Sequence, residues 1–103
     1  MDKANSRIAV IGIIIENLEM AGKVNELLHQ YSRFIIGRMG IPYEKKQVNI
    51  ISVVLDAPSD VISALAGKLG RLPGVSSKAI YSRETSSEKS RDKGMEGDSK
   101  NGV

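Results

Sequence analysis

The sequence predicts an α+β sandwich of order βαββαβ, a four-stranded antiparallel sheet with two helices on one face. Three observations predict it. Residues 7–15 (RIAVIGIII) and 48–55 (VNIISVVL) are dense in β-branched side chains and have strand lengths. Two other stretches carry apolar residues at steps of three and four, the spacing of one helical face. Clusters of Gly, Pro, Ser and charged residues separate these segments where a chain must turn.

The first strand, over 7–15, ends at Glu16 and Asn17. Met20, Val24, Leu27, Leu28, Tyr31 and Ile35 then form one apolar stripe, which predicts a single helix over 18–34. Residues 36–43 contain Gly37, Gly40 and Pro42; the glycines loosen a strand and the proline removes a ladder donor, so this is a short, interrupted edge strand. Glu44, Lys45 and Lys46 make the turn into the buried strand over 48–55. Pro58, Ser59 and Asp60 supply helix-starting chemistry. The stripe Val61, Ile62, Leu65, Leu69 and Leu72 follows, closed by Pro73 and Gly74, and the last strand covers 75–81.

At 103 residues with 41% hydrophobic side chains, the chain has about one small domain's worth of material. The domain is expected over 7–82, between a frayed lead-in at 1–6 and a polar, disordered tail at 83–103, where only Met95 and Val103 are apolar. The chain has no cysteine, which excludes disulfides, thiolate metal centres and cysteine nucleophiles, and it suits a reducing cytoplasm. Its longest apolar run, Ile8 to Ile15 with Gly12 included, is far short of the roughly 20 residues that span a bilayer. The run also lacks a small-residue cleavage site, so a cytoplasmic protein with no membrane partner is expected. The net charge of +3 lies outside the tail. Ten basic against seven acidic groups over residues 1–81 suits an anionic ligand and is too weak a bias to indicate nucleic acid.

The two central strands are apolar on both faces. Ile11, Ile13 and Ile15 alternate with Ile8, Val10 and Ile14, and Ile50 and Val54 oppose Ile51, Val53 and Leu55. Two helices cover only one face, and the other would meet water. A second copy of the chain is the simplest cover, which predicts a homo-oligomer assembled through the sheet. The blander reading is that central strands tolerate outward apolar residues.

His29 is the only histidine, and it falls off the apolar stripe beside Asn25 and Ser32. This polar edge either meets a ligand or is a solvated flank. One His and no Cys make a poor metal first shell, so no metal site is expected. Gly37, Arg38, Met39 and Gly40 (GRMG) sit at a helix-to-strand junction, where a bulge or tight turn would use the glycines' backbone freedom and present Arg38 at the edge. Arg38 then serves as an anion contact or as a solvated arginine. The GKLGR run at residues 67–71 is no Walker loop, because Leu69 follows Lys68. Gly67 and Gly70 lie opposite the helix's apolar stripe, a pattern that marks either a close approach by a backbone or ligand, or an early-fraying helix. No GxSxG, HExxH or paired-carboxylate motif frames a catalytic group, so a non-enzyme is expected.

The strings RIAVIGIIIEN, KVNELLHQY, IIGRMGIPY and GKLGRLPGVSSKAIYS resemble the small ACT-like proteins described as iron-only hydrogenase system regulators. Those proteins are themselves similar to the C-terminal effector domain of the nickel-responsive repressor. The resemblance runs from about Arg7 to Ser82 and implies a ferredoxin-like, ACT-like sandwich, assembly through the sheet, and a transcriptional or maturation role near the hydrogenase. It implies no assigned ligand or cofactor. The chain lacks the His-rich and Cys-containing nickel site and leaves no room for a ribbon-helix-helix, which argues against nickel sensing and direct DNA binding.

These readings converge on a homo-oligomeric sensing domain. A small-molecule effector binds at a subunit boundary near Asn25, His29, Arg38 and Lys68, and shifts the assembly or its affinity for a protein partner. The rival reading is a nucleic-acid-binding regulator that uses Arg33, Arg38, Lys45, Lys46, Lys68 and Arg71 on the assembled surface.

Overall fold

A computed structural model describes residues 6–83. The expected polar tail over 84–103, and residues 1–5 of the expected lead-in, lie outside the described residues. Ser6 is already the first residue of a strand.

The elements follow the expected order: β1 (Ser6–Ile15), α1 (Ala21–Gln30), β2 (Ile35–Tyr43), β3 (Val48–Pro58), α2 (Ser59–Gly70) and β4 (Val75–Tyr81). The strands form one antiparallel sheet in the order β2-β3-β1-β4, so the two apolar strands are central and the glycine-interrupted strand is at an edge. Ala9, Ile11, Ile13 and Ile15 from β1 and Ile51, Val53, Leu55 and Ala57 from β3 are buried on one face. Val24 and Leu28 of α1 and Ile62, Leu65 and Leu69 of α2 close over them. The helical stripes and the strand alternation therefore meet in one core, as their periods dictate.

Three local expectations are corrected. The helix expected over 18–34 is three pieces: a 3-10 turn at Leu18–Met20, α1, and another 3-10 turn at Ser32–Phe34. The first turn is set by Asn17, whose side chain accepts from the Glu19 amide at 3.1 Å. At the far end the Tyr31 amide bonds to the Leu28 carbonyl at 3.1 Å, an i→i+3 link that tightens the last turn. The buried strand expected to stop at Leu55 runs on to Pro58, because it pairs with β1 as far as Ser6 and keeps Ala57 in the core. Helix α2 starts after Pro58, yet neither Ser59 nor Asp60 caps it; the Ser59 hydroxyl instead accepts from Arg7 Nη1 at 3.0 Å.

The glycines also sort differently from expectation. Gly37 follows a bulge, a register shift between Ile35 and Gly37, but neither Gly37 nor Gly40 has a positive φ. Among the described glycines only Gly74 does, at φ +73°. Helix α2 continues through Gly67 but ends at Gly70, short of the Leu72 and Pro73 expected to close it, so fraying at Gly67 is not seen while Gly70 does mark the helix end. A side chain at Gly67 would meet only Arg71, and one at Gly70 only the Ser77 hydroxyl, both at ordinary contact distance.

The second face of the sheet is open among the described residues. Ile80 is 70% exposed, Met39 59% and Ile14 44%, with Ile8, Ile41, Tyr43 and Ile50 also exposed. The register places these residues on one continuous surface opposite the helices.

Candidate functional site

The four side chains expected to meet a ligand lie in two places. Arg38 pairs with Val53, so it points to the helix side of β2, and its same-face neighbour Gly40 has no side chain to crowd it. Its Nη2 donates to Asn25 Oδ1 at 2.8 Å, and Asn25 Nδ2 donates to the Ala21 carbonyl at 3.1 Å. His29, one turn further along α1 on the same flank, is exposed and makes no side-chain hydrogen bond among the described residues. This corner offers a guanidinium bonded to Asn25, with donor capacity to spare, and an imidazole one helical turn from Asn25. Those are groups that bind a carboxylate or another small anion.

Lys68 sits on the other flank of α1. Its Nζ donates to Tyr31 Oη at 2.9 Å and lies 5.2 Å from the centre of the Tyr31 ring, a cation–π distance. Lys68 lines an open groove of about 330 Å³ between the helices, with Leu27 and Leu72 and the charged Lys23, Glu26 and Arg71. The structure thus joins Asn25 to Arg38, keeps His29 on their flank, and holds Lys68 apart. Tyr31 reads in the sequence as a core residue only, and no local signal marks it as the partner of Lys68.

Arg7 is a second residue that the sequence reading misses. Its Nη1 donates to Ser59 Oγ and its Nη2 to the Ser82 carbonyl, both at 3.0 Å, while the guanidinium lies 4.9 Å from the centre of the Tyr81 ring. Tyr81 Oη in turn shares a 3.0 Å hydrogen bond with Ser63 Oγ. The cluster ties the start of β1, the first turns of α2 and the end of β4 together, a structural role rather than a ligand site. Among the described residues no group of three or more His, Cys, Asp or Glu could hold a metal ion. No helix among them is long and apolar enough to cross a membrane.

Comparison with known proteins assigns this fold and these motifs to a family. The TM1266-like model, described as an iron-only hydrogenase system regulator, matches residues 7–79, nearly the whole described unit. The chain belongs to the TM1266-like family. Protein TM1266 of Thermotoga maritima has a solved structure that is 39% identical, with a TM-score of 0.72, covering 76% of this chain and 99% of that one. The ACT domain of GTP pyrophosphokinase from Chlorobium tepidum matches at TM-score 0.58 and 18% identity, over 73% of this chain and 99% of that one. The C-terminal domain of the MgtC protein from Mycobacterium tuberculosis matches at TM-score 0.61 and 12% identity, over 80% and 94% of the two chains. At such identities the last two share the ACT-like, ferredoxin-like fold and carry nothing further. No curated protein matches the chain.

Proposed function

We propose that this member of the TM1266-like family is a cytoplasmic, non-enzymatic regulator of an iron-only hydrogenase system that assembles through its sheet and senses a small molecule. The open sheet face carries the reading. A surface on which Ile80, Met39 and Ile14 are between 44% and 70% exposed loses about 25 cal/mol of stability for each Å² of apolar area left in water. A second copy presents the same surface and covers it by symmetry. Arg38, Asn25 and His29 supply a polar corner at the edge strand where a small anion would bind, and Lys68 would act from the neighbouring groove. Binding there shifts the assembly, or its affinity for a protein partner, by favouring one arrangement of the oligomer.

A thermal-shift screen of amino acids, nucleotides and metal ions against the full chain tests the sensor. The reading expects at least one compound to raise the melting temperature of the parent and not of Arg38→Ala. A flat response to every class ends it. The rival, nucleic-acid binding through Arg33, Arg38, Lys45, Lys46, Lys68 and Arg71, is favoured instead if duplex DNA binds with a steep salt dependence that neutralising Lys68 and Arg71 removes.

A further inference from the structure

The open face of the sheet is not uniformly apolar. Its side chains fall into transverse rows. In one, Val10 lies between Val54 and Ile80; in another, Ile14 lies between Ile50 and Ser76. Between these two rows Gly12 pairs with Ser52 on one side and Lys78 on the other. The only interruption in β1's outward apolar positions from Ile8 to Ile14 thus coincides with a serine on β3 and the lysine of β4. A Cβ at Gly12 would meet nothing within 4 Å, so the missing side chain leaves open space.

The result is an open hollow walled on this face by Gly12, Ile14, Ile50, Ser52, Ser76 and Lys78, part of a cavity of about 730 Å³ that also extends to Gly70 of α2. That volume lies within the range of small-molecule sites, which pair apolar walls with a few polar groups. Lys78, Ser52 and Ser76 make no side-chain hydrogen bond or ion pair among the described residues. Lys78 and Ser52 therefore flank the gap at Gly12 from opposite sides, and Ser76 closes the β4 end of the neighbouring row of Ile50 and Ile14.

We infer that the hollow binds a small organic monoanion, its carboxylate on Lys78 with Ser76, two residues away on the same strand and face, as a further donor, and its apolar body over Ile14 and Ile50. Charge complementarity selects the anion, and the isoleucines select a hydrocarbon tail. The inference rests on the proposed assembly in one respect. When a second copy covers this face, Lys78 leaves water, and an ammonium in apolar surroundings needs a counter-charge. The anion and the second copy then stabilise each other, which makes the ligand a regulator of assembly. Among the described strand residues the other charged side chain on this face is Asp56, opposite Ile8, and Asp56 of a second copy is the competing counter-charge.

The test is an amide-resolved NMR titration of the full chain with sodium hexanoate, with hexanamide as the neutral analogue, alongside sedimentation of the same samples. Hexanoate is expected to give saturable shifts at Gly12, Ser52, Ser76 and Lys78, with hexanamide at least about tenfold weaker. Lys78→Ala lowers the hexanoate affinity by a similar factor. Gly12→Val fills the hollow and abolishes binding; an unchanged or raised melting temperature of that variant shows that the fold survives. An intact oligomer with no saturable shift overturns the site while leaving the assembly reading in place. An oligomer weakened equally by Lys78→Ala and Asp56→Asn, and indifferent to hexanoate, overturns it in favour of the pair between copies. Saturable binding to a monomer keeps the site and contradicts the assembly reading.

Discussion

Arg38 on the edge strand donates to Asn25 on the first helix at 2.8 Å, and this exposed bond joins two residues that the sequence marks as site candidates and the fold brings together. Because the bond is exposed, Arg38→Ala should cost about 1 kcal/mol or less of stability. A thermal melt measures that cost. The same variant should lose any small-molecule response at this corner, so an intact fold with a lost response separates a ligand contact from a structural bond.

Gly74 and Asn17 approach so closely that a Cβ on Gly74 would lie 2.5 Å from the Asn17 Cβ, while the Gly74 carbonyl accepts from the Glu16 amide at 2.7 Å. With φ at +73° as well, Gly74→Ala is strained in both space and backbone. Urea denaturation should show a loss of about 2 kcal/mol or more. Gly12→Ala, in open space within a strand, should instead leave stability unchanged or raise it by up to about 1 kcal/mol.

Leu65 is wholly buried between α2 and the sheet. Truncating it to Ala removes packed methyl groups and leaves a cavity, which should cost about 2–5 kcal/mol by the same urea assay. A cost below that range would mean that the helices close less tightly over the sheet than their burial indicates.

The fold was legible where periodicity decides it. Alternation in RIAVIGIII and VNIISVVL marks two apolar faces, and the buried and exposed isoleucines of β1 separate as a period of two requires. The breaks around α1 were not legible, because Met20 and Tyr31 continue the apolar stripe into 3-10 turns that pack on the same core. The extension of β3 to Pro58 depends on its partner strand, since Ser6 and Arg7 pair with Pro58 and Ala57 across the sheet. The site was legible only in part. Asn25 and Arg38 stand out as polar residues at helix and strand edges, but which flank of α1 Lys68 reaches depends on how the helices pack. The Arg7 cluster joins residues 52 and 75 positions apart and leaves no local pattern to read.

If the open face is an interface, a charge at its centre must disrupt it. Ile14→Asp puts a carboxylate between Ile50 and Ser76 on the outward surface, away from the core. Circular dichroism should show unchanged secondary structure, while the dissociation constant of the assembly rises by at least about a hundredfold. Unchanged association would place any interface elsewhere on the molecule.

The most direct test of the central claim, that a second copy covers the apolar sheet face, is the subunit count of the full chain by native mass spectrometry at micromolar concentration. The account predicts a discrete oligomer in the parent that Ile14→Asp dissociates, with any retained small anion visible as extra mass. A single species at the 11.2 kDa of one chain would contradict it.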